Sequence, residues 1–252
     1  MKQNKSSSLK IIILAAGKGK RMNSDIPKVL HKINGVSMIN RVIDTSLLLK
    51  PEKIIVVTGH KHRMVEEATK KYFLNGIQLE FESQNKQKGT AHAVMQCMNH
   101  LEKFDGNVLV LCGDVPNITE HTLGSLISTH ANDDNEASLL SALIKDPSGY
   151  GRIIRKNNQI VEIVEHKDAS EDQKLIKEIN SGIYIFKSRA LVRTLPLIKN
   201  SNSQGEYYLP DAIKLILEDK NCKVGVAITK NIMEIVGINT VQQLKELNEV
   251  YN

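Results

Sequence analysis

An α/β fold built on parallel strands is what this 252-residue sequence predicts, and two observations carry the prediction. Short aliphatic runs, KIIILAA, EKIIVVTG, IQLEFES, NVLVLCGD and EASLLSALI, recur between Lys10 and Ile144, each bounded by Gly, Asp or Asn. The intervals between them have helical spacing: Val36, Ile39, Val42, Ile43, Ser46 and Leu47 share one face, and Ala91, Val94, Met95, Met98 and Leu101 share another. Strand, helix, strand in that rhythm implies parallel pairing through right-handed crossovers, and unbroken aliphatic runs imply strands buried on both sides. Ligands of such sheets bind beyond the carboxyl ends of the strands, so the loops there are where chemistry is expected.

Along the chain, the first eight residues, MKQNKSSS, are polar and expected to be disordered. KIIILAA reads as the first strand and breaks into GKGKRM. This is not a P-loop, because Gly-x-x-x-x-Gly-Lys-Ser/Thr is absent, and the dinucleotide fingerprint fails where its third glycine would stand, at Met22. What remains suits an anion: Ala15 and Ala16 leave the backbone uncluttered, Gly17 and Gly19 permit positive φ, and Lys18, Lys20 and Arg21 supply charge. An ordinary glycine turn with solvated lysines is the competing reading. DIPKVL then returns Lys28 toward the same strand end, with Pro27 stiffening its approach. His60 and His62 lack a third metal ligand and read as loop residues. Gln84 and the turn KGTAHA precede the second helical interval, with His92 a helix residue beside that loop. NVLVLCGD ends on Asp114 at the carboxyl edge, where it could equally be a turn residue before Val115-Pro116.

From Pro147 the texture changes to shorter β-like pieces, GRIIR, QIVEIVEH and EINSGIYIFK, which read as a smaller second lobe on the same sheet. Between them DASEDQKLI reads as a helix capped by Asp168, with Glu171 completing a capping box. NTVQQLKELNEVYN reads as a C-terminal helix over 239–252, for which Asn239 is a candidate N-cap.

Composition excludes several classes. No apolar run approaches the ~20 residues that span a bilayer, and the start lacks the apolar centre of a signal peptide, so a cytoplasmic protein without membrane contact is expected. Cys97, Cys112 and Cys222 are too far apart for a disulfide framework or a zinc site and read as reduced core thiols. A net charge of +6 would suit a polyanion, but the basic residues are spread along the chain, there is no Trp and aromatics are only 4%, so nucleic acid is not an expected partner.

LAAGKGKRM followed by PKVL resembles the signature of sugar-nucleotide pyrophosphorylases, specifically the uridyltransferase domain of bacterial bifunctional N-acetylglucosamine-1-phosphate uridyltransferases. The likeness runs on, in order, through SQNKQKGTAHA, LCGDVP, GYGRI, VEHKDA, EINSGIYIF, QGEYY and VGIN. The resemblance implies a Rossmann-like nucleotidyltransferase fold: a mixed, mostly parallel sheet flanked by helices, with a smaller sugar-binding lobe. Residues 9–238 would form the domain, with a nucleotide-binding lobe over about 9–146 and a sugar-binding lobe over about 147–238. It also implies Mg²⁺-dependent attack of N-acetylglucosamine 1-phosphate on the α-phosphorus of UTP, giving pyrophosphate and UDP-N-acetylglucosamine for peptidoglycan and lipopolysaccharide precursors.

The resemblance also distributes roles. Arg21 would grip the departing part of the triphosphate and Lys28 the phosphate oxygens at the reacting centre, while Leu14, Ala15, Ala16, Gly17, Gln84, Gly89 and Thr90 would hold the nucleotide. Asp114 and Asn239 would bind Mg²⁺, and Gly151, Glu165, Asn180 and Tyr208 the sugar. In-line phosphoryl displacement needs positioning and charge neutralisation, so no covalent residue is required. Lys20 stands where family members usually carry Thr, and Pro210 replaces a common Thr. The chain ends at Asn252 without the hexapeptide-repeat domain that acetylates and trimerises the bifunctional family, so uridylyl but not acetyl transfer is expected, from a monomer or weak oligomer. Another sugar-1-phosphate nucleotidyltransferase, or a non-catalytic nucleotide-sugar binding module, are the alternatives.

Overall fold

The computed structural model describes residues 8–73 and 79–251. Its strands are β1 Leu9–Ala15, β2 Lys32–Ile33, β3 Val36–Ser37, β4 Lys53–Thr58, β5 Leu79–Ser83, β6 Asn107–Cys112, β7 Ala137–Leu143, β8 Gly151–Lys156, β9 Gln159–Val164, β10 Glu178–Lys187 and β11 Val224–Thr229. Its helices are α1 Met38–Leu48, α2 His62–Tyr72, α3 Thr90–Met95, α4 Met98–Leu101, α5 Glu120–Asn132, α6 Glu171–Lys174, α7 Ser188–Thr194, α8 Asp211–Leu217 and α9 Val241–Tyr251.

Each aliphatic run forms a strand of one sheet, in the order β11-β7-β10-β6-β1-β4-β5, with β8 on β10 and β9 on β8. The strands β6, β1, β4 and β5 are mutually parallel, and β11 is parallel to β7. β10 runs antiparallel to both β6 and β7, which makes the sheet mixed but mostly parallel. Along β1 the burial alternates between two cores: Ile12 joins Ile55, Val108 and Val110 on one face, while Ile11 and Ile13 join Ile54, Val56 and Leu109 on the other. Ile11, Ile12 and Ile13 are all 0% exposed, the two-sided burial that an unbroken aliphatic run requires. A third, small cluster of Ile33, Met38, Ile238 and Leu247 seats α9 against the β2–β3 hairpin.

Strand order reverses at β1. The chain moves outward from β1 to β4 and β5, then crosses back to place β6 on the other side of β1. The carboxyl ends of β1 and β6 therefore border a topological switch point, the crevice where open α/β sheets take their ligands.

Several local expectations are corrected. Val36 belongs to β3 instead of the helical face, because Ser37 caps α1 by accepting from the Asn40 N–H. The face from Ala91 to Leu101 is split into α3 and α4 by a tight turn, where the Gln96 and Cys97 amides bond three residues back to Ala93 and Val94. Asp168 does not cap α6. Ser170 does, accepting from the Gln173 amide at 3.2 Å while Gln173 Oε1 accepts from the Ser170 amide at 2.9 Å. Asp168 instead receives the Ser203 amide at 2.9 Å. At α9, Thr240 Oγ1 accepts from the Gln243 amide at 3.2 Å, so Thr240 is the cap and the Asn239 side chain is left for other work. Cys97 lies in the core, whereas Cys112 and Cys222 are half-buried at its margins. The disorder expected of the first eight residues falls outside the described residues except at Ser8, whose hydroxyl donates to Glu52 at 2.6 Å.

Candidate active site

The loop leaving β1 closes onto Lys28. Gly19 has φ +58, and a Cβ built there would stand 2.6 Å from Lys28 Cβ, so only glycine permits this approach. Met22, 1% exposed, pins the far end of the loop in the interior. Pro27 and the buried Val29 hold Lys28 from both sides in a short 3₁₀ turn.

Lys28 Nζ donates to Asp114 Oδ2 and, at 3.0 Å, to Asn239 Oδ1. The three residues come from the loop after β1, the end of β6 and the entry to α9. They are brought together by the backbone: the Gly113 amide donates to the Leu14 carbonyl at 2.9 Å, and the Ile238 amide to the Asp114 carbonyl at 2.9 Å. Asn239 Nδ2 donates to the Gly237 carbonyl at 3.1 Å, which turns Oδ1 toward Lys28. Asp114 Oδ2 and Asn239 Oδ1 thus converge on a single cation-sized position, one anionic and one neutral hard oxygen. Among the described residues no group of three or more His, Cys, Asp or Glu side chains could hold a metal. That includes His60 and His62, the latter facing Glu66 at 3.3 Å.

Beside this cluster opens a cavity of about 770 Å³ lined by Leu14, Ala16, Gly17, Lys18, Gly19, Gln84, Gln87, Gly89, Thr90 and Glu206, among others. Ala15 does not line it, since its methyl joins the core with Ile39. Arg21 is exposed, two residues beyond the Gly19 contact. The loop carrying Gln84 is tied down twice. The Gln84 amide donates to the Thr58 carbonyl at 2.7 Å, and Gly89, φ +105, passes so close to Tyr207 that a Cβ would lie 2.5 Å from its carbonyl oxygen. Thr90 Oγ1 accepts from the Leu209 amide at 2.9 Å. Gly59 went unnoticed in the sequence, yet a Cβ there would meet Ala16 and Gln87 Nε2, each at 2.8 Å. Its only signal was its place at the carboxyl end of β4.

The four sugar-side residues form a second group. Gly151 pairs with Asn180 across β8 and β10, and a Cβ on Gly151 would lie 3.2 Å from Glu165 Oε1. Burial, helped by Asp168 and Asp211 and opposed by Arg152, pushes the Glu165 carboxyl up to about 6. Glu165, Asp168, Tyr208 and Asp211 share a separate cavity of about 470 Å³. Lys167 does not pair with Glu165; it donates to Gln204, whose Nε2 donates to the Tyr208 hydroxyl at 2.7 Å. A bulge in β10 places Asn180, whose Nδ2 donates to the Tyr184 hydroxyl at 2.6 Å and whose Oδ1 accepts from the Gly182 amide at 3.2 Å. The two groups meet at the end of β6. Cys112 Sγ contacts the Gly182 carbonyl at 3.6 Å, and Tyr150, next to Gly151, has its hydroxyl pushed up by burial and by the charge of Asp114.

A family profile described as nucleotidyl transferase matches residues 10–247. The bifunctional protein GlmU of Streptococcus pyogenes serotype M6 is 44% identical over 229 residues, which make up 90% of this chain and 48% of that protein. GlmU of Streptococcus uberis gives the same 44% over 229 residues. The chain thus spans about half the length of the curated relatives it matches. Among solved structures, a UDP-glucose pyrophosphorylase complexed with UDP-glucose superposes with a TM-score of 0.78 over 97% of this chain and 98% of that one, at 17% identity. A Bacillus anthracis chain assigned as a glucose-1-phosphate thymidylyltransferase superposes with 0.74 over 96% and 95%, at 20% identity. At such identities the likeness is one of fold.

Proposed function

The chain belongs to the nucleotidyl transferase family, and from that premise we propose that it transfers a uridylyl group from UTP to N-acetylglucosamine 1-phosphate, releasing pyrophosphate and UDP-N-acetylglucosamine. The observation that carries this reading is the meeting of Lys28, Asp114 and Asn239 at the switch point, beside a cavity bordered by the glycine loop. The 44% identity to GlmU proteins supports the choice of substrates.

Residues 9–146 act as the nucleotide lobe and 147–238 as the sugar lobe, with 239–252 closing the site through Asn239. Loop amides from Leu14 to Gly17 hold the triphosphate, Gln84, Gly89 and Thr90 hold the base, and Arg21 reaches the departing pyrophosphate. Lys28 neutralises phosphate oxygens at the reacting centre, each charge-assisted bond worth roughly 1.5–3 kcal/mol. Asp114 and Asn239 would hold Mg²⁺, which when bound supplies further neutralisation of phosphate charge. On the sugar side Gly151 presents its amide, Glu165 takes ring hydroxyls, Asn180 faces the N-acetyl region and Tyr208 forms a wall. The attacking oxygen comes from the sugar phosphate, so the protein needs no nucleophile of its own. Cys112, the thiol nearest this cluster in sequence, is pushed up to about 12 by burial and by Asp114 and stays protonated.

Precursor supply for the cell envelope, in the cytoplasm and by a monomer or weak oligomer, completes the proposal; no helix among the described residues is long and apolar enough to cross a membrane. A panel of nucleoside triphosphates and sugar 1-phosphates, scored by pyrophosphate release with Mg²⁺ or with chelator, tests it. UTP with N-acetylglucosamine 1-phosphate should be the best pair and should require the metal. A different best pair would replace the substrate assignment, and binding without turnover would favour a non-catalytic module.

A further inference from the structure

Gln84 is 3% exposed, and its side-chain nitrogen Nε2 lies 3.0 Å from the Gly89 carbonyl oxygen and 3.0 Å from His92 Nδ1. A peptide carbonyl can only accept, so Gly89 decides which end of the amide is nitrogen. That nitrogen has two hydrogens. The second points at His92 Nδ1, which must therefore be bare, with the ring proton on Nε2. His92 is held below its usual range by burial and by Lys88, which favours the neutral ring this contact needs. Both amide hydrogens are then consumed within the protein. Oε1 remains: among the described residues no donor reaches it, it is not among the buried atoms left without a partner, and the side chain borders the 770 Å³ cavity.

We propose that His92 determines base specificity by locking Gln84, together with the Gly89 carbonyl, into an amide that offers the cavity only an acceptor. Such a surface takes a pyrimidine whose ring N3 carries a hydrogen, uracil or thymine. It refuses cytosine, whose N3 is itself an acceptor and would leave two lone pairs face to face. Sites that present buried polar groups discriminate this way because the wrong ligand leaves them unpaired. His92 does not touch the base, so it is a positioning residue. Without it, the Gly89 carbonyl alone holds the amide, so a flip that turns an N–H toward the cavity to meet cytosine costs one hydrogen bond fewer.

The inference rests on reading this cavity as the base pocket, and the experiment separates the two. kcat/KM for UTP and for CTP is measured with one sugar 1-phosphate for wild type, His92→Phe, His92→Leu, His92→Asn and Gln84→Ala. Asn places an acceptor oxygen close to where His92 has Nδ1. Wild type should prefer UTP; the Phe and Leu variants should lose at least about tenfold of that preference, through KM, and Asn should keep it to within about threefold. Equal losses for both nucleotides in the Phe and Leu variants would reduce His92 to a structural role and overturn the inference alone. An unchanged UTP/CTP ratio in Gln84→Ala would overturn the base-pocket reading itself. If the Phe and Leu variants do not fold, the Asn variant and direct binding of UTP and CTP to it decide: a lost preference there contradicts the lock.

Discussion

At the scale of single residues, Asp114 and Glu165 illustrate two ways in which a carboxylate can serve a site. Asp114 is half-buried, and its side chain meets Lys28 in a pair whose members are 13% and 22% exposed. Asn keeps the shape of this side chain and an oxygen that can accept from Lys28, so the contact itself survives the substitution. Asp114→Asn is therefore expected to lower kcat by on the order of 100-fold while the urea midpoint shifts only slightly; parallel kinetics and urea titrations check it. Glu165 is the opposite case, because burial raises its carboxyl from 4.5 to about 6. Between those values the folded protein retains a proton that the unfolded chain releases, so stability falls as pH rises through the window. Above about pH 6 the full penalty stands, roughly 2 kcal/mol. Glu165→Gln should thus gain up to that amount at pH 7.5, gain nothing at pH 4.5, and raise KM for the sugar phosphate, as urea melts at both pH values and steady-state kinetics would measure.

At the scale of elements, the turn after β1 works through two glycines with different duties. Gly17 has nothing within 4 Å of where a Cβ would stand, whereas Gly19 combines φ +58 with a 2.6 Å approach to Lys28. Gly19→Ala should cost about 1–2 kcal/mol from the left-handed backbone and, by pushing Lys28 aside, lower turnover more than tenfold. Gly17→Ala should leave the melting temperature unchanged, so any loss of UTP affinity there reports a phosphate against the backbone. Circular dichroism melts and UTP KM values for the pair distinguish these outcomes. The need for small residues in this turn was legible in GKGKRM; which glycine touches Lys28 was not, since that depends on where the returning DIPKVL segment lands. The caps of α6 and α9 teach the same lesson. Asp168 and Asn239 have the right chemistry for N-caps, but Ser170 and Thr240, each followed three residues later by a glutamine, win by closing reciprocal bonds.

At the scale of the whole molecule, the sheet assembles the site by reversing its order at β1, so ligands should stabilise the fold by linkage while metal removal alone should not. UTP with Mg²⁺ at about 100 times its Kd should add about 2.7 kcal/mol, or roughly 5–10 °C in Tm. Chelator without nucleotide should leave Tm unchanged, because the cores form without any metal cluster among the described residues. Differential scanning calorimetry with the four ligand combinations measures both.

The strands of the aliphatic runs follow from the sequence alone, because burial on both faces is a demand on composition that a run such as KIIILAA meets locally, whereas the short β2–β3 hairpin and β11 carry no such run and went unread. The glycine turn after β1 and the carboxylate at a strand end follow too, being properties of adjacent residues. What the tertiary structure decided depends on distance in the chain. Lys28 meets Asp114 across 86 residues and Asn239 across 211, and no local pattern encodes such a meeting. The antiparallel insertion of β10, the raised carboxyl of Glu165 and the one-way amide of Gln84 belong to the same class. Each is set by which dipoles, charges and apolar walls surround a group once the chain has folded, and those neighbours come from elsewhere in the sequence.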